Sequence, residues 1–185
     1  MDALLLSFLL CLLTETGGRL PLLARHLRDR HGSAPGVAGG VAISIGLGAI
    51  LAAWAGSLLA VRLTPEARDL LFALALGASG IFLLLRETAS AGPDKRRGGA
   101  ILSSFASTIF PAMGGSAPIL IAGIAAARSD PWMAGAGGWA GSMTAVLLAL
   151  SGTPIELRGA FPRIAAAMLL LLAALFAAVR AMGLM

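Results

Sequence analysis

The sequence predicts an all-α integral membrane protein of six transmembrane helices, arranged as two inverted three-helix repeats. Three observations predict this fold: an apolar composition, six long apolar runs, and a match between the two halves of the chain. Of the 185 residues, 58% are hydrophobic and only 12% are charged, whereas soluble domains average roughly 25% charged residues. A soluble protein of this length could not bury that much apolar surface.

Six apolar runs are long enough to cross a hydrocarbon core, which takes about 20 residues of helix. They cover residues 3–24, 36–62, 67–85, 100–127, 132–150 and 160–182. Helix is the predicted element because a spanning segment must satisfy its backbone internally, and the runs lack the alternation of a barrel strand. The first run is predicted to be retained rather than cleaved as a signal peptide, because only Asp2 precedes it and no basic segment does.

The basic residues are unevenly distributed over the predicted loops, and this asymmetry predicts the orientation. With alternating spans, the loops on one side carry nine basic residues and the segments on the other side carry four. The nine are Arg25, Arg28, Arg30, Arg86, Lys95, Arg96, Arg97, Arg158 and Arg163. The positive-inside rule places that side in the cytoplasm and both termini outside. We expect a protein of a bacterial inner (plasma) membrane with the lipid bilayer as its partner and no nucleic-acid partner, since the charges lie in loops; its oligomeric state stays open.

The two halves of the chain match when the sequence is shifted by 97 positions. The strongest matches are Ser7 with Ser104, Phe8 with Phe105, Gly17 with Gly114, Gly18 with Gly115, and Pro21 with Pro118. Residues 1–90 form the first predicted repeat, 91–99 a polar cytoplasmic linker, and 100–185 the second repeat. Because three helices cross the membrane an odd number of times, the second repeat is predicted to be inverted, as in many secondary transporters.

Polar and helix-breaking residues interrupt the first helix of each repeat, and they define a predicted ion or solute pathway. Glu15 and Arg19 lie inside an apolar run, where ionisable residues are costly and usually functional. Their i,i+4 spacing predicts one shared helical face. The predicted pathway residues are Glu15, Gly17, Gly18, Arg19, Ser104, Ser107, Thr108, Gly114, Gly115 and Ser116. The alternatives are a structural ion pair, glycines that only aid packing, and hydroxyls bonded to their own backbone.

Enzymatic chemistry is not expected. The sequence has no Ser-His-Asp arrangement, no metal-ligand pair of histidines on a helix and no phosphate-binding loop. Cys11 is the single cysteine, so an intrachain disulfide is excluded. We therefore predict no catalytic residues and no resident cofactor.

The pattern around Glu15 resembles the GDT-type cation:proton antiporters of the LysE superfamily, in which the first helix of each half carries Glu-x-Gly-Asp-Lys/Arg-Ser/Thr. The two copies here read Glu15-Thr16-Gly17-Gly18-Arg19-Leu20 and Ala112-Met113-Gly114-Gly115-Ser116-Ala117. The resemblance implies six helices in two inverted halves, divalent cation:proton antiport with manganese or calcium as the transported ion, and Glu15 as a metal ligand.

The second copy and part of the first lack the acidic residues of that pattern. Gly18 and Gly115 stand at the two aspartate positions, and Ala112 stands at the second glutamate position. Manganese and calcium prefer several hard oxygen ligands with carboxylates among them, so the sequence predicts a degenerate metal site. Two alternatives stay open: a LysE-type exporter of a small organic solute held by Glu15 and Arg19, and a non-transporting membrane relic that acts as a binding partner.

Overall fold

The computed structural model describes residues 2–16, 18–85, 99–128, 130–152 and 160–183, with only the backbone described for 160–163. All regular structure in these ranges is helical. The helices are α1 (Asp2–Thr16), α2 (Arg19–His31), α3 (Ala34–Arg62), α4 (Pro65–Leu84), α5 (Ala100–Gly114), α6 (Ser116–Ala127), α7 (Pro131–Leu150) and α8 (Ala160–Ala181).

The prediction of an all-α membrane protein is confirmed. Among the described residues, four helices are long and apolar enough to cross a membrane, and the number rises to six if each of two bent helix pairs counts as one span. The bent pairs are α1–α2 and α5–α6, which replace the first and fourth apolar runs of the sequence. Of the predicted linker, residues 91–98 lie outside the described residues, as does Gly17.

Glycine and proline account for both helix breaks. α1 ends at Thr16 and α2 begins at Arg19, with Gly18 as its N-cap; α5 ends at Gly114, and Gly115 is the N-cap of α6. Pro21 and Pro118 each occupy the third position of the following helix. The amides of a first helical turn have no intrahelical acceptor, so proline there removes no helical hydrogen bond and favours a new helix start.

Helix α1 packs along α7 through glycines that face backbone carbonyls. A Cβ on Gly137 would overlap the carbonyl oxygen of Leu4, and one on Gly141 would overlap that of Phe8. Residue number rises along both helices together, so α1 and α7 run parallel. Small residues permit such close backbone approach within a membrane.

Helix α3 packs along α5 in the equivalent register. A Cβ on Gly40 would overlap the carbonyl oxygen of Ile101, and the Ser44 hydroxyl donates to the carbonyl of Phe105 at 3.2 Å. Positions 40 and 44 precede 137 and 141 by 97 residues, and positions 101 and 105 follow 4 and 8 by the same interval. The two contacts therefore join corresponding positions of the two halves.

The central helices α3 and α7 cross in opposite directions. Gly46 lies against Trp139, whereas Gly135 lies against Ala53. Because α1 is parallel to α7 and α5 is parallel to α3, α1 and α5 run in opposite directions. The last helices of the two halves are antiparallel as well, since Gly77 lies near Ala174 whereas Gly80 lies near Leu171.

Helices α2 and α6 contact the ends of α7 and α3 with different chemistry. Arg25 Nε donates to the carbonyl of Ala149 at 2.7 Å, and an Arg28 Nη atom donates to that of Leu150. These are terminal carbonyls of α7, which lack intrahelical donors and favour nearby cations. Ala122 and Ala125 of α6 follow Arg25 and Arg28 by 97 positions. Instead of forming side-chain hydrogen bonds, these two alanines pack directly on Gly56 of α3.

Large apolar side chains cover the outside of the bundle. Examples on four different helices are Leu9, Trp54, Leu74, Leu172 and Phe176, each more than half exposed. In water such a surface would be strongly unfavourable, whereas in lipid it is the expected exterior.

Gly40 and Gly39 are adjacent on α3 and provide a matched test of the α3–α5 contact. A Cβ at Gly40 overlaps α5, whereas one at Gly39 has nothing within 4 Å. We expect Gly40→Ala to lower stability by about 1–3 kcal/mol, the usual cost of overpacking, and Gly39→Ala to be neutral or stabilising because alanine favours helix. Thermal unfolding of both purified variants in detergent measures the difference. Equal midpoints would contradict the described helix contact.

Candidate site at the two helix breaks

The two helix breaks share one backbone conformation. Gly18 has φ −77° and ψ 176°, and Gly115 has φ −82° and ψ −179°. Both values are extended backbone that any residue can adopt, so backbone strain does not require glycine at either position. The helix axes bend by 61° at the first break and by 52° at the second.

Glu15 lies between the breaks, in the last turn of α1. Its Oε2 atom lies 2.6 Å from the point where a Cβ on Gly18 would be, and its Oε1 atom lies 3.9 Å from the corresponding point on Gly115. The carbonyl oxygen of Pro111 lies 3.0 Å from that second point. One carboxylate therefore contacts both breaks, and the structure brings Glu15, Gly18 and Gly115 together.

The carboxylate of Glu15 is buried without a cation beside it. Glu15 is 4% exposed, and among the residues that the structure describes its carboxylate forms no hydrogen bond or ion pair. An isolated ionised carboxylate in an apolar environment is strongly unfavourable, so such a group either takes up a proton or binds a cation.

The expectation that Glu15 and Arg19 share a helical face is wrong. α1 ends at Thr16 before a full turn past Glu15 is complete, and Arg19 is the first residue of α2. The i,i+4 geometry requires continuous helix, and here the axis bends between the two residues. Arg19 is exposed while Glu15 is buried, so the guanidinium does not neutralise the carboxylate.

The predicted hydroxyls of α5 divide into buried and partly exposed groups. Ser104 and Thr108 are fully buried, whereas Ser107 is half-buried and donates to the carbonyl of Ser103 at 2.8 Å. Ser116 begins α6 and is half-buried, and Gly114 is exposed with nothing near its Cβ position. The hydroxyls nearest the interior are therefore those of Ser104 and Thr108.

Two buried serines near this region were missed in the sequence reasoning. Ser44 on α3 accepts a hydrogen bond from the Thr108 hydroxyl at 2.9 Å. Ser142 on α7 is fully buried, and its hydroxyl has no partner within the described ranges. Ser142 comes one turn after Gly138 on α7, and Glu15 comes one turn after Cys11 on α1. Gly138 lies against Cys11. Because α1 and α7 run parallel, Ser142 is placed level with Glu15.

The donor set fits one positive charge better than two. No group of three or more His, Cys, Asp or Glu side chains that could hold a metal ion exists in the part of the chain that the structure describes. Glu15 supplies a single negative charge, and hydroxyl and carbonyl oxygens supply only dipoles. A divalent ion prefers several carboxylates to offset its dehydration, so this arrangement is suited to a proton or another small cation.

Comparison of the chain with protein-family models, with curated proteins and with solved structures gave no match in any of the three.

Proposed function

We propose that this chain is a membrane transporter whose site is the pair of helix breaks, with Glu15 as the residue that takes up and releases a proton during transport. The observation that carries the proposal is the buried carboxylate of Glu15, which contacts both breaks and has no cation partner among the described residues. A buried acid that must be either protonated or paired couples proton binding to cation binding, because only one of them can neutralise it at a time.

Six spans in two inverted repeats are part of the proposal. The contacts of α1 with α7 and of α3 with α5 support it, since they join residues 97 positions apart and since α1 and α5 run in opposite directions. The bends of 61° and 52° also support it, because each leaves the two helix segments running in the same general direction, as in a broken span. Transporter sites commonly lie where such broken helices meet.

The resemblance to GDT-type antiporters makes divalent cation:proton antiport the activity proposed at the level of the family, with a degenerate metal site in this chain. The geometry supports a degenerate metal site in this chain, because Gly18 and Gly115 stand at the family's aspartate positions and both adjoin the Glu15 carboxylate. Aspartates there would bring three carboxylates together, whereas this chain offers one. Manganese and calcium binding is therefore proposed to be weak or absent.

Two other functions remain as alternatives. Export of a small organic solute held by opposite charges at Glu15 and Arg19 is less favoured, because one side chain is buried and the other is exposed. A non-transporting relic that binds another membrane protein would leave Glu15 without a role in ion movement, so its variants separate that alternative from transport.

Reporter fusions test the proposed topology. A reporter inserted in the 86–99 loop is expected to lie in the cytoplasm, and a reporter placed after Met185 is expected to lie on the opposite side of the membrane. The reason is that the basic residues are concentrated in the central and inner loops. Paired phosphatase and fluorescent-protein fusions at both points provide the measurement. Because three predicted spans separate the two points, a C-terminus on the same side of the membrane as the 86–99 loop would refute the six-span inverted arrangement.

Glu15→Gln tests the role of the carboxylate, because it preserves shape while removing the charge. We expect proton-coupled flux to fall about 100-fold, the scale seen when a positioned proton acceptor is removed. The measurement uses proteoliposomes with an internal pH dye and gradients of manganese, calcium, sodium or potassium. Glu66→Gln is the matched control, since Glu66 is an exposed residue in the first turn of α4. Unchanged flux in folded Glu15→Gln would overturn the proposal.

Restoring the acidic pattern tests the degenerate metal site. The native chain is expected to bind manganese weakly or not at all, and a variant with Gly18→Asp, Ala112→Glu and Gly115→Asp is expected to bind it with release of protons. Each added charge costs about 2.5–3.5 kcal/mol within the membrane, so the variant needs protons or a cation to be stable. A Cβ at position 18 would lie 2.6 Å from Oε2 of Glu15, so that carboxylate must shift.

Calorimetric titration of both purified proteins with manganese across a range of pH gives the result. Micromolar binding by the native chain would disprove the degenerate site. Absence of binding by a folded triple variant would show that the acidic motif alone does not make the site in this fold.

A further inference from the structure

Three buried hydroxyls lie along the contact between α3 and α5, which we call the hydroxyl seam: Ser44, Ser104 and Thr108. All three are fully buried. The Thr108 hydroxyl donates to Ser44 Oγ at 2.9 Å and lies 2.7 Å from the carbonyl oxygen of Ser104. Hydroxyls on membrane helices often bond only to their own backbone, but here two bonds cross between the helices, from Thr108 to Ser44 and from Ser44 to the carbonyl of Phe105.

The hydroxyl of Ser104 has no hydrogen-bond partner within the described ranges, although it is fully buried. A buried polar group without a partner is unfavourable, and ordered water is a common way to satisfy it. Ser104 is one turn before Thr108 on α5, so water bound there would lie next to the Thr108–Ser44 pair.

The hydroxyl seam leads towards Glu15. One turn after Thr108 comes Ala112, whose carbonyl oxygen lies 3.1 Å from the Cβ position of Gly48, itself one turn after Ser44. Gly115 follows, with Glu15 Oε1 at 3.9 Å from its Cβ position. A row of hydroxyls, a backbone carbonyl and glycines thus leads from the first turns of α5 to the Glu15 carboxylate.

At the corresponding positions, the contact between α1 and α7 has only one of these three hydroxyls. Shifting by 97 positions pairs Ser104 with Ser7, Thr108 with Cys11 and Ser44 with Gly141. The Ser7 hydroxyl already donates to the carbonyl of Leu4 at 3.1 Å. The same helix contact is therefore built with three hydroxyls in one half and with one hydroxyl, a thiol and a glycine in the other.

We propose that protons reach Glu15 along the hydroxyl seam, through water held by Ser104, Thr108 and Ser44, from the end of the bundle where α3 and α5 begin, and not along the α1–α7 contact. This inference rests on the proposed role of Glu15 in transport. Each hydroxyl or water on the path accepts one proton as it releases another and is left unchanged, and the proton ends on the Glu15 carboxylate. The two contacts thus give the site access to water from one side only.

Cysteine labelling tests the seam without any transport measurement. Thr108→Cys in a Cys11→Ala background is compared with native Cys11, which occupies the corresponding position of the other half. Both positions are fully buried in the structure, so static exposure does not account for a difference in rate. Thiols react as thiolates and therefore need water access. The reagent is a small, water-soluble methanethiosulfonate applied to vesicles of each orientation.

We expect position 108 to be labelled about tenfold faster than Cys11 or more, and only from the side on which α5 begins, because thiolate formation follows hydration. Ser104→Cys in the same background gives a second measurement if the first variant does not fold. Equal rates at the two matched positions, or faster labelling of Cys11, would overturn the inference.

A second measurement separates this inference from the proposed function. Thr108→Val is expected to slow proton-coupled flux about tenfold, in line with the loss of a proton-transfer group, while Cys11→Val leaves it nearly unchanged. One-sided labelling together with normal flux in Glu15→Gln would refute the proposed function and leave the hydrated seam intact. Loss of flux in Glu15→Gln without a labelling difference would refute the seam alone.

Discussion

The close approach of helix backbones at glycine determines where every other group in this protein lies. Gly137 and Gly141 let α7 contact the carbonyls of α1, and Gly40 does the same for α3 and α5. In lipid there is no hydrophobic force between helices, so association depends on packing and on polar contacts. A contact without side chains fixes the register tightly, because a shift of one turn would place a larger residue against the neighbouring carbonyl.

That register brings the two helix breaks to one place. α1 and α5 are held against different central helices in opposite directions, yet their ends meet at the Glu15 carboxylate. The breaks expose backbone groups that helix would otherwise satisfy, and the acid buried among them is the residue on which the proposed proton coupling depends. The protein thereby buries this carboxylate beside two glycines, with no second charged side chain paired to it among the described residues.

The sequence was sufficient to predict the helical segments and the positions of both breaks, because hydrophobic length, Gly-Gly pairs and proline are local signals. It also placed Glu15 beside the first break, where the structure buries it. It was misleading for Arg19, since spacing along an assumed continuous helix does not reveal that the axis bends at Gly18. It missed Ser44 and Ser142 because a single serine in an apolar run becomes informative only when its neighbour on another helix is known. Which helix lies opposite each serine depends on the glycine contacts. In a chain with 24 glycines, the sequence does not reveal which glycines form those contacts.

The contact between α2 and α7 and the contact between α6 and α3 lie at the two ends of the bundle and are held by different interactions. At α7, Arg25 and Arg28 donate to the last two carbonyls of the helix, and a guanidinium can exchange one oxygen acceptor for another, including a lipid phosphate. At α3, Gly56 lies against Ala122 and Ala125 without a polar side chain, so this contact depends on close packing alone. Salt and lipid headgroup charge are therefore expected to weaken the contact between α2 and α7, but not the contact between α6 and α3.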